Sequence, residues 1–260
     1  MLTVAERVVL QGYIKQMESA YCDFMGGVSL PKMKLQLMML EEMMKVLANA
    51  EVIYDPETDS YTFRVFEHIN NPLVAKDCEY IIYHEFTHAL DISLYGAGDR
   101  DKYNQLRGYL EHHASQVELM KMLGADTFAQ PVTFSMTDSI RDMNGELTVL
   151  EFMEKGLDAT AEQMSKPDFK QSIGRVFHAV GTLYNHLGRI SICRMYATDF
   201  GGYEYWLEKK CAGSRLLGQG AWDAICKVFN VVMGDAVIGL GGKLCYGTLV
   251  QLSKRLGLVG

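Results

Sequence analysis

The sequence predicts an α+β fold, mostly helical, with one small antiparallel β-sheet and a helical C-terminal half. Apolar residues recur at helical spacing through most of the first 125 positions and again beyond residue 145. Between residues 51 and 66 the pattern changes to strict alternation, the mark of a half-buried hairpin. The helical stretch that follows carries two histidines four residues apart. A chain of 260 residues with 48% hydrophobic and 22% charged side chains can bury one sizeable core or two modest ones.

Residues 2 to 24 read as an amphipathic helix, with Val4, Val8, Leu10, Tyr13, Ile14, Met17 and Tyr21 at helical spacing and Gly26-Gly27 as its stop. Glu6 and Arg7 interrupt its apolar start and no small-residue cleavage site follows, so a secretory signal is not expected and the cytoplasm is the expected location. The scattered cysteines Cys22, Cys78, Cys193, Cys211, Cys226 and Cys245 contain no Cys-x-x-Cys pair and suit buried, reduced thiols. A second helix is expected from about Pro31 to Ala50, with proline in its first turn and Leu35, Met38, Met39, Met43 and Leu47 along one side.

Glu51–Tyr54 and Tyr61–Phe66 then flank Asp55–Ser60, a run of turn formers, and predict the hairpin. An exposed strand there would bind an extended peptide through its main chain; the plainer reading is that the hairpin only shields the next helix. That helix is expected over residues 74 to 95, with Cys78, Ile82, Phe86 and Ala89 on its buried side. Gly96–Asp101 ends it. A further helix over 102 to 123, with the stripe Leu106, Leu110, Ala114, Val117 and Met120, is expected to pack back on it as an antiparallel partner.

Beyond Gly124 the signals predict irregular or short-strand structure over 129 to 137, then helices near 145 to 165, 168 to 196, 205 to 217, 219 to 234 and 240 to 256. The most apolar stretch, Val228 to Leu252, is interrupted by Asp235, Lys243 and several glycines and reads as buried helix, not as a membrane span. Residues 1 to 125 form the expected catalytic region and 126 to 260 a helical region that either joins the same domain or forms its own. A formal charge of −7 argues against a nucleic-acid partner. The oligomeric state is not legible.

The chemistry is concentrated in His84-Glu85-Phe86-Thr87-His88. On a helix, residues four apart share a face, so the two imidazoles can hold one zinc while Glu85, displaced around the helix, reaches a metal-bound water. A catalytic zinc needs three protein ligands and an open position. Candidates for the third are Glu111, His112, His113 and Asp91. With a rise of roughly 1.5 Å per residue, Glu111 and His88 stand at similar heights in an antiparallel helix pair. Glu118 lies two turns further along the side of Glu111. His113 flanks the opposite margin of the stripe and is the rival, whereas Asp91 shares a face with both histidines and suits orienting an imidazole.

Together with Glu111-His112-His113-Ala114-Ser115-Gln116-Val117, the motif resembles the gluzincin arrangement. The second segment is similar to the Glu-x-x-Ala run of the small zincins typified by the ImmA/IrrE peptidases. The resemblance implies a zincin-like domain, a zinc ion held by His84, His88 and Glu111, and peptide-bond hydrolysis with Glu85 as general base. Ser115 stands where a supporting carboxylate or amide is usual. A metzincin site would need glycine and histidine where Asp91 and Leu94 stand. Tyr83, His68, His178 and His186 have the chemistry to stabilise an oxyanion, although a lone histidine in a helix is more often structural. A protein or peptide is thus the expected substrate. The other readings are a zinc-binding scaffold that recognises a partner without cleaving it, and a metal-assisted hydrolase of a non-peptide substrate.

Overall fold

A computed structural model describes residues 3–39, 49–66, 76–130, 132–165 and 173–203. The fold is α+β and mostly helical, as the sequence predicts. The chain divides into two compact units that do not follow chain order. The first comprises Met1–Tyr103, Val117–Val132 and Arg141–Glu146, and the second Asn104–Gln116, Thr133–Ile140 and Leu147–Gly260.

In the first unit, helix α1 (Val4–Phe24) opens with a capping box: Thr3 Oγ1 accepts from the Glu6 N–H, and the Glu6 carboxylate accepts from the Thr3 N–H. Gly26 and Gly27, at φ +84° and +85°, turn the chain out of the helix as only glycine does readily. Strands β1 (Met33–Met38), β2 (Ala50–Asp55) and β3 (Ser60–Phe66) form a sheet in the order β1-β3-β2. The expected hairpin is β2 and β3, paired antiparallel from Ala50↔Val65 to Asp55↔Ser60.

The helix expected over 31 to 50 is a correction: Met33–Met38 is a strand, parallel to β3, and residues 40–48 lie outside the described residues. The sheet is therefore mixed, not purely antiparallel. The physical reason stands in the sequence, since Lys34 and Gln36 alternate with Met33, Leu35 and Leu37 and face solvent. Helix α2 (Glu79–Tyr95) packs on the inner face of the sheet, with the rings of Phe63 and Phe86 centred 5.1 Å apart. Its Ile82, Phe86 and Ala89 are fully buried, as their spacing predicts. On the same unit's α1, Tyr21 meets Tyr83 and Phe86 edge-on and donates to Thr87 Oγ1 at 3.1 Å.

Helix α3 (Arg100–Met122) begins at Asp99, whose carboxylate accepts from the N–H groups of Asp101 and Lys102. The helix expected from about 145 begins later. Ser139–Asp142 (β4) and Gly145–Thr148 (β5) form a two-stranded sheet, and helix α4 (Val149–Ser165) follows. A second capping box, Thr148 with Glu151, sets that start and was readable as Thr-x-x-Glu.

In the second unit, helix α5 (Ile173–Tyr196) lies against residues 111–116 of α3. Ser115 Oγ donates to Asn185 Oδ1 at 2.7 Å and Gln116 Nε2 to Ser191 Oγ at 2.7 Å. A Cβ on Gly188 would clash with the backbone oxygen of His112, so only glycine permits this approach. The helices expected near 205–217, 219–234 and 240–256, and the apolar stretch Val228 to Leu252, lie outside the described residues. Among the described residues no helix is long and apolar enough to cross a membrane.

Gly188→Ala should destabilise the protein by more than ~2 kcal/mol, because the clash is with backbone, whereas Gly181→Ala, whose Cβ meets Glu111 at 3.8 Å, should be neutral or stabilise by up to ~1 kcal/mol through helix propensity. Urea midpoints of the two variants against wild type measure the difference.

Candidate metal centre

Helix α2 presents His84 and His88 one turn apart, with ring centroids 4.7 Å apart and planes at 86°. One donor atom from each of His84, Glu85 and His88 lies within 4.8 Å of the other two. Both rings are half-buried, so the group is shielded yet reachable. Two side chains from other elements of the first unit hold α2 in place from behind: Tyr21 through Thr87, and Phe63 through Phe86. Thr87 Oγ1 in turn donates to the Tyr83 carbonyl at 2.8 Å.

Glu118, on the last turns of α3, sets its carboxylate oxygen 3.4 Å from His84 Nδ1. Its side chain is 7% exposed. A carboxylate at one ring nitrogen sets the tautomer and leaves the other nitrogen basic, the usual second partner of a metal-bound imidazole. Glu85 is tied from the opposite direction, its Oε2 accepting from the Val52 N–H of β2 at 2.7 Å. Two imidazoles and a carboxylate of this spacing, with an orienting carboxylate at His84, are a donor set that fits zinc.

The other expected site residues fall as follows. Glu111 belongs to the second unit, half-buried, with its side chain against Gly181 of α5. Ser115 is buried there and donates to Asn185. His112 is buried and His113 half-buried, its ring tilted against Tyr109 with centroids 5.5 Å apart. Asp91 is buried on α2 in the first unit. Tyr83 is packed by Tyr21 and Phe24, and burial pushes its phenol up to about 12, so it stays a donor at neutral pH. His68 lies outside the described residues, as does the side chain of His178. Neither Val52 nor the contact of Glu118 with His84 is predicted from the sequence. The position of Glu118 on the helix side shared with Glu111 was a usable signal, while a main-chain donor such as Val52 leaves none.

No family model, curated protein or solved structure matches the chain. The resemblance to the gluzincins accordingly rests on the motif residues alone.

His186 behaves differently from the motif histidines. It is fully buried in α5, and neither ring nitrogen has a hydrogen-bond partner among the described residues. Burial, with a smaller push from the neighbouring Arg189 charge, lowers its pKa from 6.5 to about 3. A histidine held neutral in the fold takes up its proton first in the unfolded chain, so its contribution is complete above 6.5 and is lost as pH falls toward 3. Wild type should lose up to ~1.4 kcal/mol of stability per pH unit through this window from His186 alone. His186→Leu should flatten that slope between pH 6.5 and 4.5, read from urea midpoints.

Proposed function

We propose that the protein is a zinc-dependent metallopeptidase. The observation that carries the reading is the convergence of donor atoms from His84, Glu85 and His88 of α2, with Glu85 hydrogen-bonded to the edge strand β2. His84 and His88 would hold the metal, and Glu111 would complete the set by the gluzincin resemblance. Glu118 would orient His84 from behind. When bound, zinc supplies Lewis acidity, polarising the scissile carbonyl and acidifying water.

The remaining chemistry belongs to the chain. Glu85 takes the proton from the attacking water and hands it to the leaving amine, a role for a carboxylate beside the metal but not on it. β2 is an outer strand of its sheet, and the register puts Ala50, Val52 and Tyr54 in the pairs whose main-chain groups point away from β3, the Val52 N–H being already given to Glu85. An extended peptide is the substrate such an edge suits, and this favours a peptide over the non-peptide alternative. Intact Glu85 likewise favours hydrolysis over a scaffold that only binds. Cys22, Cys78 and Cys193 are free thiols, in keeping with action in the cytoplasm.

Metal-replete protein should carry one zinc and cleave members of a peptide library, and a chelator should abolish cleavage. Glu85→Gln should keep the zinc and lose at least ~100-fold in kcat. A Glu85→Gln protein as active as wild type, or a wild type indifferent to chelation, would sink the reading.

Ligand identity is separately testable by zinc affinity. Glu111→Ala should cause the largest loss, Glu118→Ala a loss of about 10- to 100-fold, and His112→Ala and His113→Ala almost none. A zinc-bound structure with His113 on the metal and Glu111 away from it would end the gluzincin assignment and leave the roles of His84, Glu85 and His88 intact.

A further inference from the structure

The three converging donors pose a problem of roles. Glu85 brings a carboxylate oxygen within 4.8 Å of a donor atom of each imidazole, so by distance alone it is as able to ligate a metal as to serve as a base. A ligating carboxylate cannot also collect a proton from the attacking water, and something must separate the two uses. On this surface the separating contact is the hydrogen bond from the Val52 N–H to Glu85 Oε2 at 2.7 Å.

The sheet explains why that N–H is available. Phe66 donates to the Asn49 carbonyl, so residues 49, 51, 53 and 55 share the ladder bonds with β3 and Val52 directs its amide off the edge. Edge amides ordinarily bond to water, and this one bonds to a charged acceptor, a stronger interaction. We infer that the Val52 amide is a positioning group that anchors one oxygen of Glu85 to β2 and so keeps this carboxylate as a general base and not a third metal ligand. The inference rests on the peptidase reading for the role of Glu85, but the hydrogen bond itself does not.

Two substitutions at one position separate donor from side chain. Val52→Ala keeps the amide. Val52→Pro removes it without breaking a β2–β3 ladder bond, since proline is tolerated where an edge N–H faces outward. In the metal-free protein, amide exchange read by NMR should show Val52 protected in wild type and exchanging at least ~10-fold faster in Glu85→Ala. With metal restored, Val52→Pro should lower kcat by ~10-fold or more at unchanged KM. Substituting cobalt for zinc, its visible spectrum should change toward higher coordination as Glu85 joins the metal. Val52→Ala should match wild type in both. Unchanged exchange in Glu85→Ala, or wild-type kcat and cobalt spectrum in Val52→Pro, would overturn the inference. Should Val52→Pro fail to fold, the exchange measurement alone decides. A wild type with no chelator-sensitive hydrolysis overturns instead the peptidase reading, and with it the base, whatever the exchange of Val52 shows.

Discussion

Phe86 sits between the two histidines in sequence and on the opposite side of the helix in space. Its burial is the constraint on which the candidate metal centre depends. The ring is fully buried and meets Phe63 of β3 and Tyr21 of α1, so two of the elements that pack on α2 in the first unit grip it at this residue. Burying a phenylalanine contributes roughly 1.5–3 kcal/mol, enough to favour one rotation of the helix over others. With Ile82 and Ala89 buried one turn to either side, His84 and His88 have no choice but to face the other way. The Tyr21–Thr87 hydrogen bond adds direction to what packing alone leaves free to slide.

The environments of half-buried His84 and fully buried His186 differ in kind. His84 stands beside the carboxylate of Glu118, and that carboxylate is itself nearly out of water. Desolvating a carboxylate is costly unless hydrogen bonds and positive charge offset it, and an imidazole becomes a partial offset when it donates and a fuller one when its far nitrogen meets a cation. His186 has no such neighbour and is held neutral by burial. The fold thus sets one histidine against a buried carboxylate and leaves another buried without a hydrogen-bond partner among the described residues.

Much of the fold was legible because periodicity reports burial. The helices α1, α2, α3 and α5 and the β2–β3 hairpin all bury a regular stripe. The failures occurred where two periods fit the same residues. Met33-Lys34-Leu35-Gln36-Leu37 alternates as a strand should, yet Leu35, Met38 and Met39 also fit a helical stripe, and only pairing with β3 decides between them. At Gly145–Thr148 the apolar content of the following helix masked a short strand, although Thr148 and Glu151 marked the true start.

At the candidate centre, legibility follows the difference between side chain and main chain. The grouping of His84, Glu85 and His88 was readable because their helical spacing brings the three side chains together. Glu118 was readable in part, since it shares a helix side with Glu111. Val52 was not readable at all, because its contribution is an amide that every residue except proline possesses. What gives this amide its acceptor is register: a slip of one residue in β2 would put the amide of Glu51 or Ile53 off the edge in its place and turn Ala50 and Tyr54 to the other face of the sheet. The cross-strand pair of Glu51 with Arg64 and the burial of Tyr54 and Ala50 on the opposite face both resist that slip. Residues outside the candidate metal centre thus determine which backbone group its carboxylate meets.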